Sequence, residues 1–113
     1  MAPLYKICTR AEWSAAEASG VFTGSAVDRA DGFIHLSARE QVEETARRHF
    51  AGQADLVLVE IDEAQLAAAL RWEPSRGGAL FPHVYDAMAV GAATSVTALL
   101  LGAGGEHQFP WTT

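Results

Sequence analysis

One stretch limits the possible folds more than any other: Leu56-Val57-Leu58-Val59-Glu60-Ile61. Successive side chains of a strand point to opposite faces, so a strand with one wet face is apolar only at every second position. Here both alternating sets are apolar over most of the run. The segment therefore reads as a central strand, buried on both faces. A chain of 113 residues fits one domain and buries roughly two thirds of its unfolded surface, enough for a core without staples. With 50% hydrophobic and 19% charged residues, the composition is that of a globular protein rather than a disordered one.

Around that strand the chain alternates strands and short helices. Leu4 to Cys8 reads as a first strand. Thr9 with Glu12 forms a capping box that opens a helix running through Ala18 and stopping at Gly20, with Trp13 and Ala16 on one face. Val21 to Ala30 reads as a loop. Phe33 to Leu36 reads as a strand, and Ser37 with Glu40 as a second capping box for a helix from Ala38 to about Phe50. Val42, Ala46 and Phe50 recur at a spacing of four, while Glu43 with Arg47 and Glu44 with Arg48 pair on the wet side. After the central strand, Asp62 with Gln65 caps a short helix over Glu63 to Ala69. Leu70 to Glu73 alternates as a half-buried strand, and Pro74 to Gly78 reads as a loop. Leu80 to Tyr85 is extended, with Pro82 restricting it to an edge or an irregular run. Ala87 to Ala93 reads as a short helical turn, and Thr94 to Leu101 as a last strand. Residues 102–113 read as a flexible tail whose Phe109-Pro110-Trp111 either folds back or frays. Without a regular βαβ rhythm, the order fits α+β better than a doubly wound sheet.

Charge and cysteine content narrow the partners. The net charge is −6 and the eight basic residues are scattered, which argues against non-specific binding to nucleic acid or anionic lipid. A small ligand held by one or two Arg remains compatible. The single Cys8 lies in an apolar strand pattern and forms no internal disulfide, which fits a cytoplasmic protein. The N-terminal residues lack the apolar stretch of a signal peptide, and no run reaches the length of a membrane span.

The polar residues concentrate in two places. Asp31-Gly32-Phe33-Ile34-His35-Leu36-Ser37 places an imidazole and a hydroxyl two residues apart at a strand end, where the amides of a helix start favour an anion. His35 reads either as a general acid/base or as a satisfied, half-buried histidine. Ser37 reads first as a cap. Glu73-Pro74-Ser75-Arg76-Gly77-Gly78 is the second concentration; a Glu, an Arg and two glycines suit ribose hydroxyls and a phosphate, or an ordinary Gly-rich turn. His83 lies between Phe81 and Tyr85 on one side of its run and either shares a pocket with His35 or packs at an edge. His35, His49, His83 and Glu73 have no metal-ligand spacing, so no metal is expected.

Taken together, Ala30 to Ser37 with Glu40-Gln41, Asp55 to Val59, Arg71 to Gly78 and Leu80 to Tyr85 resemble the family called domain of unknown function 952, whose members are small bacterial proteins. Tyr5-Lys6-Ile7 and Glu12-Trp13 extend the resemblance, which covers the chain up to about Leu101. That family is similar in fold to the ADP-ribosyltransferases, which implies a split, highly curved pair of sheets around an NAD cleft. The order of strand, His-Leu-Ser and helix is also similar to the second half of the RNA 2'-phosphotransferases. The resemblance implies NAD as cofactor or substrate, places Tyr5-Lys6 where many ADP-ribosyltransferases have a His or Arg, matches His35 and Ser37 to the internal His-Leu-Ser, and makes Glu73 the counterpart of the transferase Glu. The chain departs from the pattern in having no His-Gly-Thr on the first strand and no Arg-His pair upstream.

These readings converge on a pocket for a nucleotide-like or anionic small molecule. His35, Glu73 and His83 are its expected catalytic groups; Tyr5, Lys6, Ser37, Arg76 and Tyr85 are its expected ligand contacts. One hypothesis is a transferase or hydrolase acting on NAD or ADP-ribosyl compounds. The other is a ligand-binding or regulatory module without turnover. The sequence leaves the oligomeric state open.

Overall fold

A computed structural model describes residues 3–66 and 68–111, with the Arg76 side chain outside the described set. The strands are β1 (Pro3–Thr9), β2 (Val21–Phe22), β3 (Ile34–His35), β4 (Ser37–Ala38), β5 (Leu56–Asp62), β6 (Leu70–Pro74), β7 (Leu80–Val84), β8 (Met88–Ala89), β9 (Ala93–Leu101) and β10 (His107–Gln108). The helices are α1 (Arg10–Ser19), α2 (Ala26–Asp31) and α3 (Val42–His49). Strands dominate, arranged as a five-stranded sheet β10-β9-β5-β1-β4, a three-stranded sheet β3-β7-β6 and the pair β2-β8. The fold is thus mixed α and β, mostly strand, with a curled main sheet and few helices.

β5 occupies the middle of the main sheet, antiparallel to β1 and β9, as its two apolar faces require. Val57, Val59 and Ile61 face a first core with Leu4, Cys8, Trp13, Phe22, Ile34 and Val84. Leu56 and Leu58 face a second core with Tyr5, Ile7, Val42, Ala46 and Phe109. α1 and the three-stranded sheet cover the first face; α3 and the returning C-terminal segment cover the second. The Thr9–Glu12 capping box forms, and Gly20 ends α1 in the left-handed region at φ 90°. Burial pushes the Cys8 thiol up to about 12, so the cysteine is a core residue rather than a thiolate.

Four expectations are corrected. Ser37 does not cap a helix: it lies in β4, and its hydroxyl bonds the Thr45 hydroxyl at 3.0 Å. α3 begins at Val42 instead, after Gln41, whose side chain accepts the Ala38 amide and donates to the Leu80 carbonyl. Pairing of Tyr5 with Ser37 across β1 and β4 outweighs the local capping preference. Val21 to Ala30 is not a loop: Ser25 and Asp28 cap each other and start α2. Leu80 to Val84 is a central strand despite Pro82. In an antiparallel ladder the N–H and C=O of one residue point the same way. The Pro82 carbonyl accepts the Leu36 amide, so the missing N–H falls on the short β3 side and costs β6 nothing. Finally, the short helix expected over Glu63 to Ala69 is a 3-10 turn at Glu63–Leu66, and the helical turn expected within Ala87 to Ala93 forms only at Val90–Ala92, as a 3-10 turn after the strand β8.

The double-sided burial of β5 has a measurable cost. Leu58→Ala is expected to destabilise the protein by about 2–5 kcal/mol, read as a lower urea midpoint. A loss below about 1 kcal/mol, the level of a surface change, would contradict the placement.

Candidate functional site

The site grows from one misplaced charge. On β1, Leu4 and Cys8 face the first core and Tyr5 and Ile7 the second. Lys6 follows the first set, so its stem runs into the apolar core and its ammonium must be paired there. The partner is Asp28, on the first turn of α2. Lys6 Nζ lies 2.7 Å from Asp28 Oδ2 and 3.0 Å from Oδ1, and it also donates to the His35 carbonyl. Both side chains are nearly inaccessible, at 6% and 2%. Asp28 further accepts the backbone amides of Ser25 and His35. Gly24 lets the chain pass close by: at φ +109° a Cβ there would meet Asp28 Cβ at 2.8 Å.

The remaining reach of Asp28 goes to His35, whose Nδ1 lies 2.7 Å from Oδ1. Burial pushes the Asp28 carboxyl up, but the His35 hydrogen bond, the Lys6 charge and the Ser25 amide outweigh it and hold the group well below the usual carboxylate range. Asp28 is therefore an ionised acceptor, and Nδ1 carries the proton. The ring is fixed with Nε2 turned outward, 3.0 Å from the exposed Asp31 carboxylate. A buried carboxylate that holds an imidazole in one tautomer and turns its other nitrogen outward, here beside Asp31, is the orienting half of an acid/base device.

β3 then sets His35 beside His83, its cross-strand partner on β7. The two rings are 5.5 Å apart, and Phe33 closes over both, 4.1 Å from the His83 ring and 4.6 Å from that of His35. His83 Nδ1 meets Glu73 Oε1 at 2.8 Å, and the Tyr85 hydroxyl donates to the same oxygen at 2.6 Å. The bonds from Tyr85 and His83 hold the Glu73 carboxyl below its ordinary value, and the Tyr85 phenol is raised in return. Lys6, His35, Glu73, His83 and Tyr85 thus come together as one cluster, with Asp28, Asp31 and Phe33 added. The β6–β7 turn over Ser75 to Gly78 leads directly out of it.

Two expected contacts lie elsewhere. Tyr5 faces the second core and donates to Glu60 at 3.2 Å. Ser37, one residue past the crossover from β3 to β4, turns toward α3. The Arg76 side chain lies outside the described residues. Sequence reasoning missed Asp28, although Ser25-x-x-Asp28 carries the spacing of a capping box and was the available signal. No local pattern announces that Phe33 would roof two histidines.

The family described as "Protein of unknown function (DUF952)" matches residues 7–96, and the chain belongs to it. Protein CC0527 from Caulobacter crescentus is similar throughout. Its X-ray structure has a TM-score of 0.90 at 55% identity, covering 94% of this chain and 93% of that one. A double mutant of it gives 0.90 at 53% with the same coverage. The solution NMR structure gives 0.85 at 55%, covering 96% and 93%. No curated protein matches. Among the described residues, no helix is long and apolar enough to cross a membrane.

The Lys6–Asp28 pair makes a prediction with a sign. Asp28 is lowered in the folded state relative to an unfolded aspartate near ~3.9. Its stabilisation is therefore complete well above that value and is lost as pH falls through the range below it. Lys6→Met, which strands the carboxylate, is expected to cost about 3–5 kcal/mol at neutral pH. Urea midpoints should fall steeply below about pH 4 in the wild type and less steeply in Asp28→Asn. Parallel profiles would contradict the pairing.

Proposed function

We propose that the cluster around His35 binds a nucleotide-like small molecule and that His35 Nε2 is its acid/base group. The carrying observation is the Asp28–His35 pair, which presents Nε2 beside Asp31 and the Phe33 ring. Ligand sites combine apolar aromatic surface with a few convergent polar groups, and Phe33 with Tyr85 supplies such surface here. Carboxylates at Asp31 and Glu73 suit the hydroxyls of a ribose. The resemblance to ADP-ribosyltransferases and RNA 2'-phosphotransferases supports NAD or an ADP-ribosyl compound as the ligand, with an ADP-ribosyltransferase-like fold around it. In that reading His35 moves a proton and Glu73 stabilises positive charge at an anomeric carbon. The absence of the first-strand His-Gly-Thr favours a second reading, binding without turnover.

The test uses NAD, ADP-ribose and AMP with the whole chain, followed by thermal shift and by amide and ring chemical-shift changes. An Asn at position 35 keeps a donor near Nδ1 for Asp28 and removes Nε2. His35→Asn is expected to retain the melting temperature within a few degrees and to weaken binding at least tenfold, a change of about 1.4 kcal/mol. Binding unaffected by His35→Asn, or shifts confined to residues away from Phe33, His35, His83 and Tyr85, would overturn the site. Turnover of NAD or of an ADP-ribosyl ester separates the enzyme from the binding module.

A further inference from the structure

His35 has a carboxylate at each ring nitrogen. Nδ1 lies 2.7 Å from Asp28 Oδ1, and Nε2 lies 3.0 Å from Asp31 Oδ2. An ionised carboxylate only accepts hydrogen bonds, and a neutral imidazole has a single donor. Asp28 takes that donor. The contact with Asp31 therefore needs a second proton, and the imidazole, ordinarily the stronger base, is the group that carries it. The arrangement is that of the charged ring. In the neutral ring the lone pair of Nε2 would face the lone pairs of Asp31 and repel them.

The two carboxylates are held differently. Asp28 is 2% accessible and is fixed by Lys6 and by the amides of Ser25 and His35. Asp31 is 51% accessible and reaches the ring from the last residue of α2. The carbonyl end of a helix disfavours a carboxylate, so the helix alone gives no reason for an acid there. The backbone beyond it is anchored, because the amides of Gly32 and Phe33 both donate to the Asp28 carbonyl, at 2.9 and 3.2 Å. Asp31 can thus leave the ring by turning its own side chain, while α2 and the Asp28–His35 bond stay in place.

We infer that Asp31 is a pH-operated latch on His35: it closes over Nε2 while the ring is charged and swings into water when the ring is neutral. The other charged groups around the ring do not replace it. From β1, the Lys6 ammonium is neutralised by Asp28. From β7 and β6, His83 is tied through Nδ1 to Glu73. Asp31 stabilises the protonated ring alone, so its contact is fully present on the acid side of the His35 titration and is lost as pH rises through it. An exposed ion pair is weak, as a reversible closure requires. For the small-molecule site proposed above, on which this consequence rests, the latch shuts Nε2 in the acid form and opens it as the base form appears.

Two measurements on the whole chain test the latch without any ligand, so its failure is distinguishable from a failure of the binding site. The first is the Asp31 χ1 rotamer, read from three-bond NMR couplings between about pH 5 and pH 8, the range in which histidines change charge. One rotamer is expected at the acid end and an average of rotamers at the alkaline end, with the step following the His35 ring signals. The second is the rate at which diethyl pyrocarbonate acylates His35, located by mass spectrometry, in the wild type and in Asp31→Ala. The variant is expected to react several-fold faster at the acid end and at the wild-type rate at the alkaline end, where the wild-type latch is open. An Asp31 rotamer population that does not change with pH would overturn the inference. So would a rate ratio that stays constant with pH, the mark of a purely steric shield.

Discussion

The carboxylate of Asp28, buried against the ammonium of Lys6, is the interaction on which the candidate site depends. Neither charge is tolerable alone in that position, because removing an ion from water without a partner costs several kcal/mol. Together with the amides of Ser25 and His35 and the ring of His35, they satisfy one another. The pair joins elements far apart in sequence: the middle of β1, the start of α2 and the strand β3. Apolar residues of similar volume would stabilise those contacts at least as well. What they would lack is a fixed anion that decides where the proton on His35 sits.

The site also depends on how the chain leaves that strand. β3 pairs with β7 and β4 pairs with β1. Leu36, buried at 3%, marks the crossover between the two sheets. His35 therefore stays with His83, Glu73 and Tyr85 on the smaller sheet, while Ser37 two residues later joins the main sheet beside Thr45. Phe33 precedes the crossover and shares the His35 side. Its stacking on His83 keeps that imidazole 6% accessible while leaving His35 more open, at 33%. Of the two imidazoles, His35 is thus the one presented to solvent.

The parts of this arrangement written in local pattern were legible in the sequence. Six consecutive residues around Val59 specify the central strand by themselves, and Thr9 with Glu12 specify the start of α1. The returning Phe109 and Trp111 are visible as one of two stated outcomes, settled by packing on Tyr5 and by the Trp111 bond to Glu43. His35 and His83 were recognisable as polar groups flanked by aromatics. What local pattern misread was decided by distant partners. Ser37 carries the residues of a helix cap, but pairing with Tyr5 takes it into a sheet. Pro82 carries the signature of an edge, but its missing amide happens to face the end of a two-residue strand. Asp28 looks like a loop residue until Lys6, twenty-two positions earlier, is found beneath it.

The central claim is that an ionised, buried Asp28 fixes the proton of His35 on Nδ1 and turns Nε2 outward, beside the exposed Asp31 carboxylate. Nitrogen-15 NMR of the imidazole rings reads this directly, since a bare and a protonated ring nitrogen differ widely in chemical shift. The account predicts that a neutral His35 ring carries its proton on Nδ1 and that Asp28→Asn abolishes this preference. A neutral His35 with its proton on Nε2 and a bare Nδ1 would contradict it.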